Sequence, residues 1–378
     1  MISIKELFEQ LMKNVQESDS FYYKDFINED GCLYRIFDYR LASYNNFLLP
    51  YAREMRGITF LLDQEENPIK LVSIPFHKFF NLYENPFTEG INLKDSIFFT
   101  DKEDGSLITT YFDCNDELQV KTKGSFESKQ AIEAKQIIEN NIELKRDLET
   151  LEELGFTVIM EYISPDNRIV LHYPESDLRI LMLRSREDFK YYLPFLYVQK
   201  DFVSEEFGNR IVNFNYESIK NHEDFVEETR NETHKEGYVI AFDDENRGIE
   251  FVKLKTNWYQ FRHKLKETIS NERKIYEAII NEDVDDLKTT FHDDASVLRE
   301  IEEKENKIIP KYNALVQTIE SFYERNKNKD RKDYAIQTKK ELGERLLGLT
   351  MPLYTGSQPD YKKFVMKNLD SILNEEIL

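Results

Sequence analysis

The sequence is poor in cysteine and contains no long apolar run, and each shortage excludes a class of protein. Its 378 residues include two cysteines, Cys32 and Cys114. Two thiols exclude a disulfide framework and a thiolate metal cluster, and they are typical of a reducing compartment. Nowhere do ~20 apolar residues follow one another, and the N-terminus predicts an amphipathic helix that contains acids. We therefore expect a soluble cytoplasmic protein with no membrane partner.

Basic residues are also in short supply. The chain has 51 Lys and Arg residues against 72 Asp and Glu residues, so its formal net charge is −21. Nonspecific binding of nucleic acid depends on basic surface that neutralises phosphates. Composition alone therefore argues against a nucleic-acid partner. Any such partner would have to be bound at local basic clusters or through metal ions.

Several motifs that mark common enzyme classes are missing. The sequence contains no GxxxxGKS or GxxxxGKT loop and no GxGxxG, HExxH, GxSxG or CxxC pattern. These absences remove support for phosphate-loop kinases, dinucleotide dehydrogenases, zinc proteases and serine hydrolases. Phosphate chemistry in this chain would have to depend on lysines and carboxylates dispersed along the sequence.

The first part of the chain is rich in predicted strands. Residues from about 32 to 250 carry short β-branched and aromatic runs such as FTVIMEYI and IEFVKLK, separated by turn residues. Within this part, apolar residues recur at helical spacing from Ser125 to Leu154, which predicts a helix there. The pattern indicates mixed structure with mainly antiparallel sheet.

From about residue 257 the pattern changes to helices. Apolar residues recur there at intervals of three and four, and turn breaks are predicted at Pro310, Gly356 and Pro359. We therefore predict an α+β protein, with an antiparallel-sheet-rich domain over residues 1–256 and an all-helical domain over residues 257–378.

The segment Lys102-Glu103-Asp104-Gly105-Ser106 lies between two predicted strands, SIFFT and LITTYF. A lysine amine can attack the α-phosphate of a nucleotide when it is neutral and when a nearby acid or metal organises the site. Gly105 would allow close approach of the backbone to a ligand. Taken alone, this segment favours an ordinary hairpin turn, for which Glu-Asp-Gly is well suited.

A second candidate pair is Lys253 and Lys255, which face the same side of the predicted strand IEFVKLK. Two ammonium groups on one strand face could bind a triphosphate, although the solvent face of an amphipathic strand has the same pattern. Glu161 ends one apolar strand and Glu236 begins another, and buried carboxylates require a cation, a metal or hydrogen bonds. Together these side chains form a set suited to phosphoryl transfer.

Three further cations lie next to predicted strands: Arg56 in RGITF precedes one, and Lys78 in KFFN and Lys123 in KTKG each follow one. With these cations included, the ordered motifs resemble the covalent nucleotidyltransferase superfamily of ligases and capping enzymes. Longer stretches such as YRIFDYRLASY, KFFNLYENPFT and LKTNWY resemble the bacteriophage RNA ligase 1 family of tRNA-repair ligases, over nearly the whole chain. His77 and Tyr83 depart from the pattern around the KFFN motif.

The resemblance implies that Lys102 is a nucleophile that carries AMP, with Asp104 and Gly105 completing its motif and Lys253 at the reacting phosphate. Other nucleotide-binding roles are implied along the first domain: Tyr39 at the adenine, Arg56, Lys78, Lys123 and Lys255 at phosphates, Phe80 in the supporting wall, Glu161 at the ribose, and Gly237 and Tyr259 behind the lysines. Metal contacts are implied for Glu236, Asp285 and Glu161.

The implied function is an ATP-dependent RNA ligase that uses Mg²⁺, or alternatively Mn²⁺, and joins 5′-phosphate and 3′-hydroxyl RNA ends through lysyl-AMP and RNA-adenylate. Its implied substrate is tRNA broken in the anticodon loop, with a polynucleotide kinase and phosphatase acting upstream in the host cytoplasm. Lys329, Arg331 and Lys332 in the tail are candidates for RNA binding, and a solvated helix end explains them equally well.

Two alternatives share much of this pattern. A capping-type guanylyltransferase or a DNA ligase would use the same Lys102, Glu161 and Glu236, and differs in its nucleotide or in the ends it joins. A noncatalytic RNA-binding protein with a ligase fold would form no covalent nucleotide. Labelling with ATP and with GTP, together with ligation of RNA ends and of DNA ends, discriminates among these functions.

Overall fold

The computed structural model describes residues 2–167, 169–269, 271–292 and 294–375. The described chain divides after Phe261 into two compact units. Antiparallel sheets form most of the first unit and helices form the second. The predicted fold class is thereby confirmed. The sequence pattern had suggested a domain boundary after residue 256.

The N-terminal helix α1 (Ile4–Glu17) begins with a capping box. The Glu6 backbone N–H donates to the Ser3 hydroxyl, and the Ser3 N–H donates to the Glu6 carboxylate at 2.8 Å. Leu7, Phe8 and Leu11 are buried on the opposite face. They pack on the first sheet, whose antiparallel strands are β1 (Phe21–Ile27), β2 (Leu33–Tyr39), β3 (Ile58–Leu62) and β4 (Pro68–Ser73), in that order.

Two five-stranded sheets follow. The second sheet has the order β11-β10-β9-β7-β8 and the third has the order β12-β6-β13-β14-β5. Their strands are β5 (Phe80–Asn81), β6 (Ser96–Asp101), β7 (Ser106–Phe112), β8 (Leu118–Thr122), β9 (Phe156–Ile163), β10 (Asp177–Ser185), β11 (Tyr191–Tyr192), β12 (Phe214–Asn215), β13 (Gly237–Asp244) and β14 (Gly248–Lys255). The short β5 pairs with β14 in parallel, whereas the other pairings between these strands are antiparallel.

The second and third sheets share a core, to which β9, β10, β13 and β14 contribute Ile159, Met182, Ala241 and Phe251. Seven of the eight residues of β9 are buried, as expected for a central strand covered on both faces. The other face of the second sheet is covered by helices α2 (Lys129–Glu139) and α3 (Ile142–Glu153).

The predicted single helix from Ser125 to Leu154 is therefore wrong in its continuity. The chain leaves α2 at Asn140, and the Asn141 side chain accepts a hydrogen bond from the Leu144 N–H at 3.0 Å. An asparagine that caps a new helix competes with continuation of the previous one. The break allows both helices to bury apolar faces on the same sheet.

The remaining helices of the first unit are short: α4 (Phe195–Gln199), α5 (Glu205–Gly208) and α6 (His222–Asn231). Helix α7 (Asn257–Ile269) includes the boundary between the units, and the second unit continues with α8 (Glu272–Asn281), α9 (Val284–Thr290), α10 (Ala295–Asn326), α11 (Arg331–Glu341), α12 (Leu347–Tyr354), α13 (Tyr361–Lys367) and α14 (Leu369–Leu373).

The predicted break at Pro310 is wrong, because Pro310 lies inside the 32-residue helix α10. Ile308 and Leu315, on either side of it, are fully buried in the core of the second unit, so packing holds the helix together across the proline. The predicted breaks at Gly356 and Pro359 are confirmed, since both residues lie between α12 and α13.

Cys32 and Cys114 form a disulfide with their Cα atoms 6.6 Å apart. Cys32 precedes β2 and Cys114 lies in the turn after β7, so the bond joins the first sheet to the second. This pairing differs from the expectation of reduced cysteines. It arises because the fold brings together two turns whose cysteines are 82 residues apart. Among the described residues, every helix is too short or too polar to cross a membrane.

Candidate active site

A cavity of about 320 Å³ lies in the first unit and is lined mainly by strands of the second and third sheets. Its apolar wall includes Phe76, Phe98, Leu107, Met182 and Phe251. The predicted site residues that line it are Tyr39, Arg56, Lys78, Lys102, Gly105, Glu161, Lys253 and Lys255. An apolar wall with convergent cations at one cavity suits a ligand that has a flat apolar part and an anionic part, such as a nucleotide.

Lys102 immediately follows β6, and its position is fixed by the neighbouring strand. Its backbone N–H donates to the Gly237 carbonyl at 2.9 Å. Gly237 has a φ of +141°, and a Cβ at this position would overlap the Leu254 carbonyl oxygen. Position 237, whose carbonyl accepts the hydrogen bond from Lys102, therefore requires glycine.

Glu236 links the candidate nucleophile to a second lysine. Its side chain is 2% exposed, and its two carboxylate oxygens lie 2.8 Å from the Lys102 Nζ and 2.8 Å from the Lys255 Nζ. The Lys255 ammonium also lies 4.9 Å from the centre of the Tyr259 ring. A buried carboxylate shared by two lysines fixes both ammonium groups at the cavity wall.

Gly105 and Glu161 form the next part of the wall. The Gly105 N–H donates to the Glu161 carboxylate at 3.1 Å. A Cβ on Gly105 would overlap the Tyr162 carbonyl oxygen, so no side chain fits here. Burial raises the pKa of Glu161 to about 7, opposed by the Lys102 charge and reinforced by Glu236.

Asp104 is buried, is not among the residues that line the cavity, and anchors the loop. One carboxylate oxygen accepts from the Tyr259 hydroxyl at 2.6 Å, and the other accepts from the Val170 and Leu171 N–H groups at 2.7 and 2.8 Å. The Asp104 N–H donates to the Tyr173 hydroxyl at 3.0 Å. These contacts support a positioning role for Asp104, and they reveal Tyr173, which the sequence analysis missed.

Lys253 lies among other cations in the cavity. Burial lowers its pKa to about 7, and four nearby positive charges act in the same direction: Lys78, Lys102, Arg56 and Lys255. Burial also lowers the pKa of Lys78. Glu236 pairs with two of these cations, Lys102 and Lys255. The crowded positive charges still repel one another, so a polyanionic ligand would stabilise the group.

An aromatic cluster lies beside these cations. The Tyr39 ring centre is 5.6 Å from the Lys78 Nζ and 4.8 Å from the Lys123 Nζ. Lys123 also pairs with Asp38 at 3.1 Å. Phe80 lies behind Lys78, with 4.9 Å between the ring centre and the Nζ, as expected for a supporting wall.

Lys121, which precedes Lys123 by two residues, has a structural position that the sequence did not reveal. It is fully buried, and its Nζ donates to the Gly57 carbonyl at 2.9 Å and to the Thr122 carbonyl at 3.0 Å. Burial lowers its pKa to about 7. Lys121 thereby ties β8 to the backbone next to Arg56.

A buried ionic network that the sequence analysis also missed supports Lys78. Arg53 donates from Nε to the Lys78 carbonyl at 2.8 Å and pairs through both terminal nitrogens with Glu250 at 2.6 and 3.0 Å. His77 contacts Glu250 at 2.7 Å and the Tyr191 hydroxyl at 2.6 Å. Burial lowers the pKa of His77 to about 4, so it is neutral at pH 7. This network explains the unexpected histidine beside the KFFN motif.

Four candidate residues lie in the second unit. Asp285 is an exposed residue of α9 and is not among the residues that line the cavity. Lys329, Arg331 and Lys332 are exposed around the start of α11. Their side chains are available to solvent.

A metal ion at the cavity would need ligands beyond the protein. Among the described residues, no group of three or more His, Cys, Asp or Glu side chains could hold a metal. Glu236 and Glu161 supply hard oxygen atoms at the wall, and the buried Glu236 oxygen that lies 2.8 Å from the Lys102 Nζ makes an ion pair without a well-formed hydrogen bond. This donor set fits a magnesium or manganese ion whose remaining ligands come from nucleotide phosphates and water.

Two family models match the chain. A model described as RNA ligase matches residues 54–269, which is more than half of the chain, and a model described as the C-terminal domain of T4 RNA ligase 1 matches residues 266–377. The matches are consecutive and follow the change from sheet to helix. Together they extend over most of the sequence.

Individual relatives are also found. RNA ligase 1 of bacteriophage TS2126 is 30% identical over 61% of this chain and 57% of its own length. A candidate RNA ligase of Thermovibrio ammonificans is 28% identical over 75% of this chain and 72% of its own length. The match to a solved structure, an archaeal ATP-dependent RNA ligase, extends over 90% of this chain and 90% of that chain, with 14% identity and a TM-score of 0.48. The family matches and the convergence of the predicted residues at one cavity agree, and the chain belongs to the RNA ligase family.

Proposed function

We propose that this protein is an ATP-dependent RNA ligase that joins 5′-phosphate and 3′-hydroxyl ends and carries AMP on Lys102. The observation that supports this proposal most directly is the position of Lys102. Its Nζ lies 2.8 Å from Glu236 at the wall of a cavity that also presents Arg56, Lys78 and Lys253. Cations grouped beside a nucleophile match the requirements of phosphoryl transfer.

In the first step the Lys102 amine attacks the α-phosphorus of ATP. A P–N bond forms, the bond from phosphorus to the bridging oxygen breaks, and pyrophosphate leaves. The amine must lose a proton before it attacks, and the Glu236 carboxylate is placed to accept it. Arg56, Lys78 and Lys253 would balance the charge that builds up on the departing oxygens.

In the second step an oxygen of the RNA 5′-phosphate attacks the same phosphorus. The P–N bond breaks, the Lys102 amine regains its proton, and RNA-adenylate forms. In the third step the 3′-hydroxyl attacks the 5′-phosphate, loses its proton and displaces AMP. The product is a phosphodiester, and Lys102 is free for another ATP molecule.

Mg²⁺ or Mn²⁺, when bound with the nucleotide, would withdraw charge from phosphate oxygens. Glu236 and Glu161 would be its protein contacts. Glu236 also contacts Lys102. If Glu236 contacted the metal instead, the Lys102 amine would be held less tightly by the carboxylate. Asp285 remains a prediction as a further metal ligand.

The test is to incubate the purified protein with magnesium and α-labelled ATP and to look for label that survives denaturation. Lys102→Ala should abolish the label, whereas the exposed Lys94→Ala should keep it. Parallel reactions with GTP, and with DNA ends in place of RNA ends, discriminate against a capping enzyme and a DNA ligase. The absence of label from either nucleotide would refute the proposal and favour a noncatalytic RNA-binding protein.

For the physiological substrate we propose tRNA broken in the anticodon loop, after a kinase and a phosphatase have prepared its ends in the cytoplasm. The exposed Lys329, Arg331 and Lys332 support an RNA contact in the second unit. Replacing all three by Ala should reduce ligation of nicked tRNA more than ligation of a short linear RNA. Equal losses on both substrates would contradict tRNA selection by these residues.

A further inference from the structure

The reaction geometry fixes the side from which RNA must enter, on the basis of the proposed function. Phosphoryl transfer places the attacking and leaving atoms roughly in line. When Lys102 attacks, pyrophosphate leaves from the side opposite to Lys102. When the RNA 5′-phosphate later displaces Lys102, it must approach from that same opposite side. The cations that receive pyrophosphate therefore also receive the RNA end.

A series of contacts leads outward from Lys78, whose Nζ lies 5.6 Å from the centre of the Tyr39 ring. Tyr39 lines the cavity, and its ring lies 4.8 Å from the Lys123 Nζ, which pairs with Asp38 at 3.1 Å. The other Asp38 oxygen lies 3.5 Å from the Tyr22 hydroxyl on the paired strand β1. Asp38 is 3% exposed, so its charge is directed to Lys123 rather than to solvent. The surface of β1 at Tyr22 is thus connected to the rim of the cavity.

Two exposed cations lie near the Tyr22 ring. The Lys24 Nζ lies 5.8 Å and the Arg40 guanidinium carbon 5.9 Å from the ring centre. Both cations are exposed, and Tyr22 is half-buried. An aromatic ring next to exposed cations is a pattern that binds single-stranded nucleic acid, because bases stack on the ring and phosphates pair with the cations.

We propose that Tyr22, Lys24 and Arg40 form an RNA-binding surface for the 5′-phosphorylated strand, just beyond its terminal phosphate. The occupant is a single RNA strand. This assignment rests on the in-line geometry, on the contacts that connect the surface with the cavity, and on positive charge on a chain whose net charge is −21. One base would stack on Tyr22 while backbone phosphates contact Lys24 and Arg40.

The test separates the steps of the reaction. Tyr22→Ala and the double variant Lys24→Ala/Arg40→Ala are compared with wild type in AMP loading of Lys102 and in AMP transfer to 5′-phosphorylated RNA. We expect AMP loading to be unchanged and the KM for a long single strand to rise about tenfold in Tyr22→Ala, from loss of stacking. A 5′-phosphorylated dinucleotide, which is too short to use the whole surface, should show a smaller change.

Controls make the result specific. Tyr22→Phe should keep most of the affinity for the long strand, because it keeps the ring. The double variant Lys5→Ala/Lys13→Ala removes two exposed lysines of α1 and should behave as wild type. The plot of log affinity against log salt concentration has a negative slope. In Lys24→Ala/Arg40→Ala this slope should become shallower by ~1.4, which is ~0.7 for each lost phosphate contact.

Three results would overturn the inference: an unchanged KM for long RNA, an equal loss for the dinucleotide and the long strand, or reduced AMP loading in the surface variants. Wild-type protein that forms no covalent AMP would instead refute the proposed function. Thermal unfolding of each variant verifies that its fold is intact.

Discussion

Replacement of Lys253 by Met should stabilise the ligand-free protein while it removes a cation of the active site. Burial and the surrounding positive charges lower the pKa of Lys253 to about 7, from an ordinary value of 10.5. At ~1.4 kcal/mol for each pKa unit, this difference of 3.5 corresponds to about 5 kcal/mol as an upper bound. Because Lys253 is only partly buried, solvent screening reduces the effect, and we expect a gain in unfolding free energy of about 2 kcal/mol.

The difference in unfolding free energy between Lys253→Met and wild type should depend on pH. Below pH 7 Lys253 is charged in both the folded and the unfolded protein, so its full unfavourable contribution is present. As the pH rises from 7 to 10.5, the folded protein releases the proton first and the contribution disappears. The stability difference between Lys253→Met and wild type should therefore be largest near pH 6 and should vanish towards pH 10. Urea unfolding at a series of pH values measures it.

Binding of ATP should raise the lowered pKa of Lys253 in the wild-type protein. A polyphosphate beside Lys253 favours the charged amine, so binding should take up protons near pH 7 and should tighten as the pH falls from 8 to 6. Calorimetry in buffers of different ionisation enthalpy detects that uptake. The exposed Lys94→Met is the matched control and should change neither property. A Lys253→Met variant that is less stable than wild type at pH 6, or proton uptake that persists in it, would refute this reasoning.

Three further predictions concern the surrounding residues. Gly105→Ala should lower the unfolding free energy by about 2 kcal/mol, measured by urea unfolding, because the new methyl group overlaps the Tyr162 carbonyl; Gly90→Ala, where the space is open, should not. Glu236→Gln should slow AMP loading at least ~10²-fold in single-turnover labelling, since it removes the carboxylate that pairs with Lys102. Glu250→Gln should raise the KM for ATP severalfold with little change in kcat, because it weakens the Arg53 contact that fixes Lys78.

The sequence indicated which residues lie together at the candidate site, but it did not indicate the residues that support them. Lys102, Lys253 and Glu161 could be placed because strand alternation fixes which side chains share a face, and because each lies at the end of an apolar strand or within one. The ordered resemblance to a known family then joined segments that local patterns could not connect. All three residues line one cavity.

Residues that act through long-range contacts were not predictable in this way. Arg53 and Glu250 are 197 residues apart, and no local pattern indicates that they meet. Tyr173 supports Asp104 from a loop whose sequence shows no sign of that contact. The Cys32–Cys114 bond has the same origin, since spacing alone does not reveal which turns meet. The predicted helix break at Pro310 was wrong for a different reason, because tertiary packing outweighed the local tendency of proline to end a helix.

The acidic composition, which argued against a nucleic-acid partner, is consistent with the site once local structure is considered. Surface charges farther than about 8 Å from a phosphate are largely screened at physiological salt. Arg56, Lys78 and Lys253 instead line a partly buried cavity, where screening is weak. Because burial already lowers the pKa of Lys253, an arriving polyphosphate relieves repulsion among the cations as well as forming new contacts. Affinity for a nucleotide or an RNA end can therefore be local to the cavity, while a net charge of −21 on the whole chain disfavours nonspecific binding along the RNA.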